Sequence, residues 1–166
     1  MVIFDFDLTM VNTQPVEALR ANRNWSAVMA RVSDLEVYDG INELLSELHA
    51  RKQVIAIVTK SPDMVPRAFA RHHNWPIDIV IGYHQVQRRK PDPEGLLLAM
   101  AKGQSAPSST VHVGDSAEDT VASRAAGVTA IGAGWGLSDI SALSASKPDY
   151  LFTSVSDLSR TLFRER

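Results

Sequence analysis

Val2-Ile3-Phe4-Asp5-Phe6-Asp7-Leu8-Thr9 opens as an apolar run and turns acidic at Asp5. Apolar runs of the same kind recur at residues 54–58, 77–81, 111–113 and 128–131. A strand that is apolar at successive positions is buried on both faces, because neighbouring side chains point to opposite sides of a sheet. Between the runs lie segments with helical spacing: Leu44, Leu45 and Leu48 within 41–50, and Leu96, Leu97 and Met100 within 93–102. This alternation predicts an α/β fold, a three-layer Rossmann-like sandwich with a mostly parallel central sheet. Ser61-Pro62 and Asp92-Pro93 each place a capping residue before a proline at the first helical position, and Gly127 closes the helix expected over 116–126. Beyond Gly132 the pattern predicts a Gly-rich turn, a helix at 139–145, a strand at 149–152 and a final helix from Ser156.

A chain of 166 residues with 45% hydrophobic and 22% charged residues fits one domain spanning 1–166. A formal net charge of -2 leaves no electrostatic footprint for nucleic acid or an anionic membrane. The absence of cysteine excludes disulfides, zinc-thiolate sites and thiol nucleophiles. Met1 to Phe4 lead straight into Asp5 with no basic stretch before an apolar run, and no apolar stretch reaches the length of a membrane span. A cytoplasmic protein that uses no membrane is the expectation.

Residues 14–32 interrupt the alternation and read as one extra helix, part of an insertion over about 13–37. Val16, Leu19, Trp25, Val28 and Met29 supply apolar positions, while Arg20, Arg23 and Arg31 keep much of its surface polar. Two roles are open to it: a helix packed on the sheet edge, or a small cover over a site.

In an open parallel sheet, ligands bind beyond the carboxyl ends of the strands, so polar residues that follow apolar runs are the informative ones. The first run ends in Asp5 and Asp7, the second in Thr59-Lys60-Ser61 and the fourth in Gly114-Asp115-Ser116. Lys90 precedes the helix that feeds the fourth run, and Asp119 follows Asp115 by one helical turn. Taken singly, Asp5 and Asp7 suit a turn, Thr59 and Asp115-Ser116 suit helix caps, and Lys90 with Arg88 and Arg89 suits a solvated basic patch. If they converge, several carboxylates share one cleft and repel one another unless a cation joins them. Oxygen ligands of this kind suit Mg2+, which commonly bridges protein carboxylates and a substrate phosphate. A lysine and a threonine beside them supply charge and a hydroxyl donor for phosphoryl oxygens. A carboxylate can also attack phosphorus and divide one displacement into two. His72 and His73 are adjacent and read as a surface helix end, and the Gly-x-Gly within 132–136 reads as a turn, since it lacks the strand-turn-helix context of a dinucleotide site.

Asp5-x-Asp7-x-Thr9, then Thr59, then Lys90-Pro91, then Gly114-Asp115-x-x-x-Asp119 resemble, in order, the four motifs of the haloacid dehalogenase (HAD) superfamily. Tyr38-Asp39-Gly40, Lys90-Pro91-Asp92-Pro93, Ala125-Ala126-Gly127 and Gly134-Trp135-Gly136 are similar to its phosphoglycolate-phosphatase-like members. The resemblance covers nearly the whole chain except 14–37. It implies a HAD-like fold and a Mg2+-dependent phosphatase that hydrolyses a phosphomonoester through an aspartyl-phosphate. Asp5 is then the nucleophile and a metal ligand, and Asp7 the general acid and base, with its backbone carbonyl on the metal. Thr59 and Lys90 hold the phosphoryl oxygens, Asp115 completes the metal site, and Asp119 supports it directly or through water; Lys60, beside Thr59, adds a further positive charge for binding phosphate. A phosphotransferase or phosphosugar mutase would use the same intermediate, and a non-catalytic phosphate-binding or regulatory module would keep the fold alone.

The chain departs from the family pattern at Leu8, where many relatives have glycine, at Asn12, where they often have aspartate, and at Lys60, where asparagine is frequent. The larger departure is the insertion, which is too short for the full helical cap of phosphoglycolate-phosphatase-like relatives. A reduced cap implies an open cleft. Its phosphorylated substrate is then bulky or macromolecular, or a partner protein or second copy completes the lid.

Overall fold

The computed structural model describes residues 1–163. Its strands are β1 (Val2–Phe4), β2 (Ile55–Val58), β3 (Ile79–Ile81), β4 (Val111–Gly114), β5 (Thr129–Ala133) and β6 (Tyr150–Phe152). Its helices are α1 (Glu17–Ala21), α2 (Trp25–Met29), α3 (Ile41–Ala50), α4 (Met64–His73), α5 (Glu94–Gly103), α6 (Ala117–Ala126), α7 (Ser141–Ala145) and α8 (Val155–Leu162). The strands form one six-stranded sheet in the order β3-β2-β1-β4-β5-β6, and every pairing is parallel. The expected α/β sandwich is therefore present, and its sheet is more uniformly parallel than the sequence required. Among the described residues, no helix is long and apolar enough to cross a membrane.

The apolar runs explain the layers. Val2 and Phe4 face a core containing Leu44, Leu45 and Leu48 of α3, Phe69 of α4 and Leu158 of α8. Ile3 faces the opposite core, with Leu96, Ala99 and Met100 of α5 and Ala122 and Ala126 of α6. Burying a side chain such as Phe4 contributes about 1.5–3 kcal/mol, and both sides of β1 gain in this way. Register then places the site. Phe4 pairs with Ile57 and with Val113, so the residues that follow β1, β2 and β4 leave the sheet at one edge. β1 and β4 are also where the strand order reverses direction, the position at which such sheets open a crevice.

The insertion differs from expectation. Residues 14–32 form no single helix: a 3-10 turn at Gln14–Val16 leads into α1, and α2 follows after a break at Asn22-Arg23-Asn24. The break is local chemistry, because Arg23 takes a left-handed φ of 54° and the Asn24 side chain accepts from the Ala27 amide to cap α2. Bridges at Asp7–Val11 and Val11–Val37 close the stem of the insertion. Val16, Val28, Val32 and Leu35 then sink into the α3/α4-side core, and Trp25 packs against the same cluster. The segment is thus anchored to the domain rather than hinged away from it.

Two helix starts also move. α4 begins at Met64, after Pro62, which leaves Ser61 outside the helix, and α5 begins at Glu94, with Asp92 Oδ1 accepting from the Glu94 amide at 3.0 Å. At the turn after β1, Leu8 adopts φ 59°, a left-handed conformation that costs an L side chain about 1–2 kcal/mol. Glycine at that place relieves the strain but has more entropy to lose on folding. Leu8→Gly should therefore stay within about 1 kcal/mol of the parent, while the stiffer β-branched Leu8→Val should lose about 1 kcal/mol or more. Urea unfolding of both variants checks the order, and equal stability of the two would contradict the strain assigned to Leu8.

Candidate active site

Asp5 follows β1 and is buried, its amide donating to the Val113 carbonyl at 2.8 Å. Lys90 reaches it from the turn before α5: Nζ lies 2.7 Å from Asp5 Oδ1, 2.6 Å from Asp119 Oδ1 and 3.0 Å from the Val58 carbonyl oxygen. Asp5, Asp115 and Asp119 each bring a carboxylate oxygen within 4.8 Å of the others. The four sequence segments thus meet in one cleft of about 210 Å³.

α6 explains how Asp115 and Asp119 come to face it together. Ser116 is the N-cap and forms a capping box with Asp119, whose Oδ2 accepts from the Ser116 amide at 3.0 Å and from its hydroxyl at 2.6 Å. Ser116 does the capping, so Asp115 is left free of that duty and faces the cleft, where it accepts from Thr9 Oγ1 at 3.1 Å. The neighbouring Gly114 has to lack a side chain, since a Cβ there would stand 2.4 Å from Asp119 Cγ. Gly136 plays the corresponding part beneath the first loop: its Cβ would meet Leu8 O at 2.5 Å, and the adjacent Trp135 Nε1 donates to the Thr9 carbonyl at 2.9 Å.

The electrostatics follow from burying like charges around one ammonium. Burial, and then Asp119, Asp115 and Asp7, hold the Asp5 carboxyl well above the usual range, although Lys90 opposes them. Burial and Asp119 push Asp115 up to about 6. Burial works against the Asp119 anion as well, but Lys90 outweighs it and brings Asp119 down to about 2. Lys90 is itself held above its usual range, because Asp119 and Asp5 overcome the burial that would lower it. Behind Asp119, burial drops His112 to about 4, so its imidazole is neutral at pH 7 and the 3.8 Å approach to Asp119 is no salt bridge. Ser123 Oγ donates to the Asp119 carbonyl and accepts from His112 Nδ1 at 2.8 Å, which leaves Nε2 unprotonated.

The remaining expected residues divide. Asp7 lines the cleft, and Thr59 Oγ1 lies 3.4 Å from its Oδ2. Lys60 also lines the cleft, but its half-exposed ammonium pairs with Glu118 of α6 across the mouth. Sequence reasoning missed two partners of Asp7. Ser61, read as a helix cap, donates to Asp7 Oδ2 at 2.9 Å, and Arg20, read as part of a solvated helix face, pairs with the same oxygen at 2.9 Å. The position of Ser61 directly after Thr59-Lys60 was the available signal; nothing in the sequence pointed to Arg20.

A family model described as haloacid dehalogenase-like hydrolase matches residues 16–133. The chain belongs to this family. It is similar to the phosphoglycolate phosphatase of Escherichia coli (strain K12), with 32% identity over 124 residues that cover 74% of this chain and 49% of that protein. The chain thus spans about half the length of the curated relatives it matches. Among solved structures, a hydrolase from Pseudomonas syringae superposes with TM-score 0.80 at 21% identity, over 97% of this chain and 96% of the other. A candidate beta-phosphoglucomutase from Thermotoga maritima gives TM-score 0.81 at 20% identity, over 97% of each chain. At these identities the structures share the fold with this chain.

Asp115 generates a measurable pH dependence. Its folded value of about 6 lies above the roughly 3.9 of an unfolded aspartate, so at pH 7 its ionisation destabilises the fold, and that cost is relieved as pH falls through 6. Asp115→Asn measured in EDTA should accordingly be more stable than the parent at pH 7.5, by about 1–3 kcal/mol, and the difference should vanish near pH 4. Denaturant titrations at the two pH values provide the test; a variant less stable at pH 7.5 would show that Asp115 is not held against repulsion.

Proposed function

We propose that this chain is a Mg2+-dependent phosphatase that hydrolyses a phosphomonoester through an aspartyl-phosphate on Asp5. The observation that carries the reading is the buried meeting of Asp5, Asp115 and Asp119 with Lys90 between them and Asp7 alongside. Three crowded carboxylates with two pushed toward protonation are the donor set of a hard cation, and an all-oxygen set fits Mg2+. Asp5 and Asp115 would hold it, with Asp119 in support. When bound, Mg2+ offsets the charge of the carboxylates and of a phosphoryl group.

The residues then act in sequence. Asp5 attacks phosphorus, the bond to the leaving oxygen breaks, and Asp7 delivers a proton to that oxygen. In the second half Asp7 removes a proton from water, whose oxygen attacks phosphorus and releases Asp5 and inorganic phosphate. Lys90, fixed by the Val58 carbonyl, aims the Asp5 carboxylate and screens the incoming anion. Thr59 donates to a phosphoryl oxygen. Lys60 would join it only by leaving Glu118. The short insertion keeps the reading open toward a bulky or macromolecular phosphate, or a partner that completes the lid.

The test is hydrolysis of p-nitrophenyl phosphate with Mg2+ and without an acceptor. Release of inorganic phosphate, abolished by EDTA and reduced about 10³-fold or more by Asp5→Asn, is the expected outcome. Turnover only when a sugar-phosphate acceptor is present would favour the phosphotransferase or mutase reading. Absence of any turnover would leave a phosphate-binding module.

A further inference from the structure

Arg20 brings the insertion into the cleft, and its guanidinium is committed in two directions. Nη1 donates to Glu17 Oε2 at 2.6 Å, and Nη2 meets Asp7 Oδ2 at 2.9 Å. Nε is buried and has no acceptor among the described residues. The Asp7 oxygen also accepts from Ser61 Oγ at 2.9 Å and lies 3.4 Å from Thr59 Oγ1. One carboxylate oxygen is therefore ringed by a guanidinium and two hydroxyls, the donor types that a phosphoryl oxygen takes. Its twin, Oδ1, is buried without a partner among the described residues.

We infer that Arg20 is a phosphate-recognition residue, stored on Asp7 while the cleft holds no phosphate and passed to an oxygen of the bound phosphoryl group. The inference rests on the phosphoryl-transfer reading of this cleft. Asp7 and an incoming phosphoryl oxygen are both anionic acceptors for the one guanidinium that lines the cleft beside Asp7, so an anion bound there competes with Asp7 for it. The guanidinium fork is suited to such a transfer, because Glu17 holds one arm in position and the unpaired Nε–H supplies a donor for a further oxygen. The transfer needs no opening of the insertion, whose core contacts through Val16 and Val28 stay in place. Short as it is, the insertion then acts as part of the binding site rather than as a lid.

Asp7 and phosphate would compete for one cation, so their effects must be coupled. Wild-type protein, Asp7→Asn, Arg20→Gln and the double variant are titrated calorimetrically with inorganic phosphate in Mg2+. Arg20→Gln should weaken phosphate binding about tenfold, the usual loss for one charge-assisted contact. Asp7→Asn should tighten it, and by at least about fivefold more when Arg20 is present than when it is not. Arg20→Lys, which keeps the charge without the fork, should fall between and carries the test if Arg20→Gln does not fold. Equal effects of Asp7→Asn in both backgrounds overturn the inference. So does unchanged phosphate affinity in Arg20→Gln with a lowered Tm, which would make Arg20 a tie for the insertion. Failure of every variant to bind phosphate overturns it too. Turnover is scored separately with Asp5→Asn: coupling without hydrolysis removes only the phosphatase reading and upholds Arg20, while hydrolysis without coupling removes only Arg20.

Discussion

The Lys90 ammonium lies 2.7 Å from Asp5 and 2.6 Å from Asp119, and the remainder of the cleft is arranged around this buried bridge. Taking the groups out of water is costly, and their attraction offsets the cost only when geometry is good and spare lone pairs are satisfied. The structure meets them in part: Lys90 donates to Asp5 at 2.7 Å, while Asp119 Oδ1 stands at ion-pair distance without accepting a hydrogen bond among the described residues. The Val58 carbonyl takes a second Lys90 proton, and the capping box of α6 occupies the other Asp119 oxygen. One cation among several carboxylates still leaves an excess of negative charge. That excess is expressed on Asp5 and Asp115, which are pushed toward protonation, while Asp119 stays ionised.

The scaffold serves this charge cluster at the scale of single atoms. Parallel register brings the ends of β1, β2 and β4 to one edge, but side-chain aim is set by smaller devices. Gly114 lets Asp119 fold back against the end of β4. Gly136 and Trp135 hold the loop that carries Asp7, and Leu8 accepts a left-handed backbone so that the loop can turn. Of these, Leu8 gives up a little local stability for geometry.

The insertion is stabilised differently. Its helices are too short to be stable alone, and they persist because Val16, Val28, Val32 and Leu35 share the core of the main domain. A segment anchored so firmly can place a long side chain with some precision. Arg20 reaches Asp7 for that reason.

Sequence alone determined the layers and which polar residues gather at one edge of the sheet. Apolar runs at successive positions required a sheet covered on both faces, and the ordered placement of Asp5, Asp7, Thr59, Lys90, Asp115 and Asp119 was legible because strand ends in such a sheet share one edge. Strand bounds shifted by a residue or two, and the tail elements fell where the pattern put them as far as residue 163. What the sequence could not determine were contacts between segments distant in the chain with no periodic signal of their own. Residues 14–32 looked like one helix because apolar spacing survives a break, and the Asn24 cap was decided by local hydrogen bonding. Ser61 looked like a cap, and Arg20 like solvated surface, because a side chain's partner depends on which elements pack beside it. Only the tertiary structure decided that both would close on Asp7, since a hydrogen bond is set by distances of a few ångströms that spacing along the chain does not encode.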